Sequence, residues 1–381
     1  IELRNILEKN NIKLKSTGDT EVLINILKIY GSEGLKLLNG MFSLAFFDFN
    51  KKKLLLARDR AGKKPLIYYK DENKIIFGSE QKAICDHDDI NMELDYISIN
   101  QYFCFGYIQS PRTIFKYLKK LDPGHFIELN LLDNSSDIKT KPYWHLNYNP
   151  DHSLSENDWI EKTENILIDS VRMRLRSDVR VGTFLSSGID SSLITAIASK
   201  SKVRDDFCAF TIGFNDKNFD ESLYAEEFSK SLGIKHNKKV LEPHNWNIIA
   251  ELVKHFEEPY ADSSAIPTYF LCKAASEFGV VFLSGDGGDE LFAGYKRYFT
   301  VNNNNWLGFI PLFIKKPLSN ALSSFIPKGS SYYSRLKRAG IENWERKIHH
   351  YAPFAGDESN YMLLSKNAKK QFKDEAIFEA K

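Results

Sequence analysis

Val181-Gly182-Thr183-Phe184-Leu185-Ser186-Ser187-Gly188-Ile189-Asp190-Ser191-Ser192-Leu193-Ile194 is the stretch whose reading decides the fold. An apolar strand runs into Ser-Ser-Gly and then into a helix. Small residues at such a junction leave the first helical N–H groups unsatisfied and partly positive. The turn is therefore suited to an anion, and short side chains let a phosphate come close. Ser186, Ser191 and Ser192 add hydroxyl donors. Asp190 would repel a phosphate unless Mg²⁺ lay between them, which makes it a candidate metal ligand. No lysine follows the glycine, so this is not a Walker A loop. Taken alone, the stretch is read equally well as a capped helix with a glycine turn.

A second stretch repeats the design: Val280-Val281-Phe282-Leu283-Ser284-Gly285-Asp286-Gly287-Gly288-Asp289-Glu290-Leu291-Phe292-Ala293-Gly294-Tyr295. A buried strand ends in a glycine-rich turn with three carboxylates, Asp286, Asp289 and Glu290. Ligands of open α/β sheets bind at the carboxyl ends of strands. Two such ends in one sheet, one suited to phosphate and one to Mg²⁺ or an amine, point to a nucleotide–metal site. A solvated acidic turn is the alternative for this segment alone.

Strand and helix alternate around these turns. Ser155 to Arg176 reads as a long helix with Trp159, Thr163, Ile166, Leu167 and Val171 inward. Strands are expected over Val179–Leu185, Cys208–Phe214 and Val280–Leu283. Helices are expected over Ser191–Ser199, Leu223–Leu232 (closed by Gly233) and Pro267–Phe278 (ended by Gly279). That order implies α/β architecture with a parallel sheet. Residues 1–150 read differently. Met41–Asp48, Leu54–Ala57, Leu66–Tyr69 and Ile75–Phe77 are short apolar strands with polar turns, as in a layered antiparallel sandwich. A helix from Thr20 to Tyr30, with Asp19 as its expected N-cap, precedes them. Pro150 and polar residues near Asn149–Ser153 suggest a boundary, giving domains 1–150 and 151–381.

Composition narrows the function classes. The chain has 381 residues, 43% hydrophobic and 27% charged, with formal net charge +2. These values are those of an ordinary globular protein and argue against disorder. A near-neutral balance gives no electrostatic footprint for nucleic acid or an anionic membrane, so neither is expected as a partner. Cys85, Cys104, Cys208 and Cys272 show no CxxC spacing, so neither a disulfide framework nor a cysteine zinc site is expected, and a reducing cytoplasm is the expected compartment. No apolar run is long enough to span a bilayer, and no signal peptide is expected.

With both turns in hand, the sequence resembles the glutamine-dependent asparagine synthetases. Ser186-Ser187-Gly188-Ile189-Asp190-Ser191-Ser192 is similar to the family's pyrophosphate loop, and Leu283 to Tyr295 to its second signature. Phe219-Asp220-Glu221-Ser222 and Glu258 to Pro267 also follow its pattern. In the first half, Ser16 to Glu21, Leu38 to Phe42, Ala57 to Gly62 and Phe77 to Glu80 resemble its glutaminase domain. The resemblance covers roughly residues 16–300.

The resemblance implies an N-terminal nucleophile (Ntn-type) αββα domain that hydrolyses glutamine, a tunnel for ammonia, and an ATP-pyrophosphatase domain. The latter would adenylate aspartate, and ammonia would displace AMP from β-aspartyl-AMP. By position, Asp19 would hold the α-amino group of glutamine. Leu185, Ile212, Ser284 and Gly285 would line the ATP site. Ser186, Ser187, Gly188, Asp190, Ser191 and Ser192 would meet pyrophosphate, with Mg²⁺ on Asp190 and Asp289. Asp286 and Asp289 would face the acyl-adenylate as catalytic residues. ATP and Mg²⁺ are the implied cofactors, and a homodimer is a family expectation. Amidation of another carboxylate (sugar acid, peptide or lactam-forming substrate) and an inactive nucleotide-binding homologue are the alternatives. A sulfur- or tRNA-modifying enzyme predicts a basic RNA face or a catalytic cysteine pair, and neither is visible.

The chain departs from the family pattern at several places. No cysteine opens it, and the glutamine-binding Arg and Asn-Gly segments before Asp19 are absent, so it is not expected to hydrolyse glutamine as it stands. It also ends before the family's later aspartate-pocket segment, and both ends read as clipped. Ser187 replaces the loop's middle glycine and fits only if φ there is negative. Asp286 stands where many members have Glu. Elsewhere, His236 reads as a surface histidine, Tyr143-Trp144 as an interdomain packing anchor, and Arg172, Arg174, Arg176 and Arg180 as a solvated face. His349-His350 lacks a metal-binding partner pattern.

Overall fold

A computed structural model describes residues 2–132, 138–201, 207–216, 220–241, 248–296, 298–299, 310–326, 332–333 and 336. Ile1, Phe219 and His349-His350 from the sequence reading lie outside them. The chain forms two compact units, one built on residues 1–149 with 253–261, the other on 150–252 with the segment from Asp262.

Unit 1 is layered. Helix α1 (Glu2–Lys9) and helix α2 (Asp19–Tyr30) precede strands β1 (Ser43–Asp48), β2 (Lys53–Arg58), β3 (Ile67–Lys70) and β4 (Ile75–Gly78). Then come α3 (Gln81–Cys85), α4 (Tyr96–Phe105), β5 (Leu118–Lys120), β6 (His125–Asn130) and β7 (Thr140–Pro142). The order β1-β2-β6-β7 makes one antiparallel sheet and β4-β3-β5 a second. Strand β2 explains the stacking. Its side chains alternate between two cores, and it is buried on both sides. Leu55 and Ala57 pack with Leu27 of α2, Leu35, Phe126 and Tyr143. Leu54 and Leu56 pack with Leu66, Tyr68 of the second sheet, Leu121 and Ile127. Beyond that sheet, Ile67 and Tyr69 meet Ile84 of α3. The layers are helix, sheet, sheet, helix, as the continuous apolar runs implied.

Two sequence expectations change here. Asp19 is the first residue of α2 and not its cap; Gly18 holds the cap position with extended φ and no side-chain bond. Tyr143 is a core residue of unit 1, with its hydroxyl donating to Arg58 O at 2.8 Å.

Unit 2 follows the alternating pattern. Helix α5 (Glu156–Arg174) starts with a capping box between Ser155 and Asp158. After it come β8 (Val181–Phe184), α6 (Ile189–Lys200), β9 (Cys208–Phe214), α7 (Ser222–Leu232), β10 (Lys235–Leu241), α8 (Ile248–Phe256, counted with unit 1 from Val253 on), α9 (Ala265–Ala275), β11 (Val281–Leu283) and α10 (Gly288–Phe292). A helix over Leu312–Ser324 follows. The sheet order is β10-β9-β8-β11, all parallel. Helices cover both faces. Val181, Val281 and Leu283 pack with Val171 and Ala198 of α5 and α6, and Ala209 packs with Ala225 of α7. On the opposite face Phe184, Phe210 and Phe282 meet Ala274 and Ala275 of α9. Gly182 is required on that face, since a Cβ there would lie 2.7 Å from the Phe282 ring and 2.8 Å from Cys208 O.

Helix α5 corrects one expectation. Val171 is buried, but Trp159 and Ile166 are 45% and 66% exposed. The apolar stripe of α5 is wider than its contact with α6, so Trp159, Thr163 and Leu167 line an open groove with Leu193 and Ile197. Arg172, Arg174, Arg176 and Arg180 are exposed, as read. Among the described residues no helix is long and apolar enough to cross a membrane.

Candidate functional site

Both diagnostic turns leave the carboxyl ends of neighbouring strands. β8 and β11 pair in parallel, with Val181 beside Val281 and Thr183 beside Leu283. Their following loops touch. A Cβ at Gly285 would lie 2.7 Å from Ser191 N and 2.8 Å from Asp190 Cβ. A Cβ at Gly288 would lie 2.5 Å from Asp190 Oδ2. The glycines of the second loop therefore make room for the start of α6 and for the Asp190 side chain.

The first loop is braced by its own hydroxyls. Ser191 Oγ donates to Gly188 O at 3.1 Å and accepts from Ser186 N at 3.2 Å. A hydroxyl has one proton, so the 2.8 Å contact between the two serine oxygens is donated by Ser186. Gly188 N donates back to Ser186 Oγ at 3.1 Å. Ser187 is not among the positive-φ residues, and Gly188 itself has φ −71°. Serine thus fits the middle position without strain. Gly188 caps α6 with no side-chain bond, so the first amides of that helix stay open to a ligand. Ser192 Oγ is buried with no hydrogen-bond partner among the described residues.

The remaining site residues vary in placement. The Leu185 side chain is buried in the core on the α7 face, leaving its backbone to the loop. Ile212 packs half-buried in the phenylalanine cluster of the other face. Ser284 Oγ donates to Asp286 Oδ2 at 2.8 Å, and Asp286 is exposed. Asp289 folds against Gly294, whose N–H donates to Asp289 O at 3.0 Å. Cys272 of α9 has its thiol pushed up by burial and by the Asp286 charge. Among the described residues no three His, Cys, Asp or Glu side chains form a ready metal cage. Mg²⁺ is usually held by one or two carboxylates plus substrate phosphates, so Asp190 and Asp289 fit that ion without a preformed cage.

The structure gives contacts to residues that the sequence reading named without assigning them to the site. Glu221 Oε2 accepts from Ser187 N at 3.0 Å, so a carboxylate already sits on a loop amide. Asp220 Oδ1 accepts from Ser222 N at 3.2 Å, and Lys238 lies 3.6 Å from Oδ2. Hydrogen bonds from Ser222 and Phe214, with the Lys238 charge, hold its carboxyl below the usual range. His236, read as a surface residue, is half-buried, with Nε2 3.0 Å from Thr211 Oγ1. Strand β10 turns it toward the face covered by α7, so burial wins over exposure.

In unit 1, Asp19 is exposed at the start of α2, far in sequence from any of these. Its loop is held by Arg4, which donates to Ser16 O at 3.2 Å and to Gly18 O at 3.1 Å. Glu21 accepts from Lys15 N at 2.8 Å and Ser16 N at 2.7 Å. Those bonds hold the Glu21 carboxyl below its usual range. The Ala57–Gly62 motif proves to be a structural knot. Asp59 is 2% exposed and accepts from Phe42, Ala61, Lys63 and Lys64 N–H groups.

Comparison with known proteins matches the chain to a family. The family model "Asparagine synthase" matches residues 162–375, and "Glutamine amidotransferase domain" matches residues 1–144. The chain is 33% identical to glutamine-hydrolyzing asparagine synthetase 1 of Bacillus subtilis over 375 residues, 98% of this chain and 58% of that protein. It is 33% identical to a putative asparagine synthetase 2 of Methanocaldococcus jannaschii, over 81% of this chain and 60% of that protein. Amidase chyE of Penicillium rubens is 28% identical over 74% of this chain and 44% of its own length. The chain thus spans about three fifths of the first two relatives. With the first family model covering more than half of its residues, the chain belongs to the asparagine synthase family.

Proposed function

We propose that this chain carries the ATP-dependent amidation of aspartate to asparagine through β-aspartyl-AMP. In the whole protein, glutamine would be the nitrogen donor. The reading rests on one observation: the loops after β8 and β11 adjoin at Asp190, with the amides of α6 open. A carboxylate is a poor electrophile, and joining it to AMP supplies a leaving group. An aspartate oxygen attacks the α-phosphorus of ATP, and pyrophosphate leaves with the electrons of the broken P–O bond. Ammonia then attacks the acyl carbon, and AMP leaves with the C–O electrons.

The chain's own groups have defined tasks in this scheme. Ser187, Gly188 and the first amides of α6 would meet the departing pyrophosphate. Asp190 and Asp289 would hold Mg²⁺, whose chemistry is to neutralise phosphate charge. Asp286, exposed beside Ser284, would take the proton released when ammonia adds. Asp19 would bind the α-amino group of glutamine in unit 1.

The test supplies Mg-ATP, aspartate and ammonium and quantifies AMP, pyrophosphate and asparagine. Equal amounts of all three support the reading. Absence of pyrophosphate removes it. A second reading, amidation of a different carboxylate, is favoured by Asp286 in place of Glu and by the similarity to Amidase chyE. It predicts ATP turnover with another carboxylate and none with aspartate.

A further inference from the structure

We infer that His236 is a positioning residue for the Ser186–Ser192 loop, acting through the Thr211 hydroxyl on the Leu185 carbonyl. Its consequence for nucleotide binding rests on the reading above, while its geometry stands alone.

The peptide between Leu185 and Ser186 is where the strand becomes the loop, and it is gripped at both ends. Thr211 Oγ1 donates to Leu185 O at 2.7 Å, and Ser186 N donates to Ser191 Oγ at 3.2 Å. Leu185 N is held by Phe210 O at 3.0 Å. The plane of this peptide sets the direction in which the loop amides leave the sheet. A carbonyl has no proton to give, so the single Thr211 proton goes to Leu185 O. The 3.0 Å contact between His236 Nε2 and Thr211 Oγ1 must therefore be donated by the histidine. The ring then carries its proton on Nε2 when neutral. Without that donor Thr211 would lose the partner that fixes its rotamer.

Water cannot readily replace the imidazole. Thr211 is 4% exposed. Leu185, Ala209 and Ala225, with Phe228 and Ile234, form the apolar cluster on that face. His236 lies in register with Ala209, which sets its ring on the face covered by α7. Glu226 and Lys230 of α7 and Lys238 of β10 are the charged groups around it. Burial keeps the ring neutral to lower pH than usual, against the pull of Glu226. Both the neutral Nε2–H form and the cation donate, so the contact holds the loop in either charge state. His236 is therefore a brace and not a pH switch.

The experiment uses the full chain in two arms. Long-range ¹H–¹⁵N spectra of the wild type read the His236 tautomer above its titration. The inference expects the proton on Nε2, and a proton on Nδ1 overturns it. Mg-ATP titration by calorimetry compares wild type with His236→Leu, which removes the donor, and His236→Gln, which keeps an N–H. We expect about tenfold weaker binding in the leucine variant and recovery of most of it by glutamine. Leucine at wild-type affinity, or glutamine as weak as leucine with an unchanged melting temperature, overturns the assignment. A purely structural role would lower the melting temperature of both variants and leave the affinity of the folded fraction unchanged. If the wild type binds no Mg-ATP, the nucleotide reading fails, and the tautomer spectrum still decides the role of His236.

Discussion

Gly285 and Asp190 are packed so closely that a Cβ at position 285 would fall 2.8 Å from the Asp190 Cβ and 2.7 Å from the Ser191 amide nitrogen. The second loop can only pass the start of α6 as glycine. Gly285→Ala pushes against backbone, so it is expected to destabilise unit 2 by about 1–3 kcal/mol. It should also weaken Mg-ATP binding at least tenfold. At Gly288 the added methyl would instead meet the Asp190 carboxylate, a movable group. Gly288→Ala should keep most of its stability and lose turnover. Thermal denaturation and steady-state assay of both variants separate the two effects.

Glu221 occupies a loop amide that the proposed function gives to pyrophosphate. A bound anion must displace it or share that N–H. Glu221→Ala is expected to tighten pyrophosphate binding several-fold, in line with about 1 kcal/mol for one freed donor. Calorimetric titration checks this. Weaker binding in the variant would mean that Glu221 assists the ligand.

Asp95 carries a prediction for acid stability. It caps α4, accepting from Ile97 N at 3.1 Å, Ser98 Oγ at 2.9 Å and Arg112 Nη1 at 2.9 Å. Burial works to raise its pKa, but Ser98, Arg112 and the Ile97 amide outweigh burial and hold it below the usual range. A lowered folded-state pKa means stability is complete above the ordinary aspartate titration and is lost as pH falls through the folded value. Asp95→Ala should cost about 2–4 kcal/mol at neutral pH. It should also shrink the difference in urea midpoint between neutral and acid solution.

Tyr143 makes the opposite prediction. Burial first, then the Asp59 charge, pushes its phenol up to about 12. The fold favours the neutral form, so this stability is present below the ordinary phenol range near about 10 and is lost as pH rises beyond it. Tyr143→Phe leaves Arg58 O without its hydroxyl donor. The expected loss is about 1–2 kcal/mol at neutral pH, with a smaller further loss in alkali. Tyr68 and Tyr69 are also raised by burial, so part of the alkaline step remains.

How far the sequence could be read depends on distance along the chain. Cys208–Phe214 is a strand at the expected bounds, because a fully buried parallel strand is a bounded apolar run. The two glycine turns were legible for the same reason: their chemistry is local. Ile166 misled, since periodicity marks an apolar stripe and cannot say how much of it a neighbour covers. Asp19 misled because capping is decided by one φ/ψ pair, and Gly18 took it. Arg4, Glu221 and the Thr211–His236 pair act across 12 to 34 positions, and residue type alone does not reveal such partners. Neither loop reveals from sequence that its glycines are spaced to fit Asp190. That requires the parallel register of β8 and β11.

The most direct measurement is a structure of the chain with Mg²⁺ and a non-hydrolysable ATP analogue. We expect the phosphate chain in the cleft between Ser186–Ser192 and Ser284–Asp289, with the ion on Asp190 or Asp289 and Glu221 withdrawn from the Ser187 amide. An ordered nucleotide bound elsewhere, with the cleft empty and Glu221 still on that amide, would contradict the account.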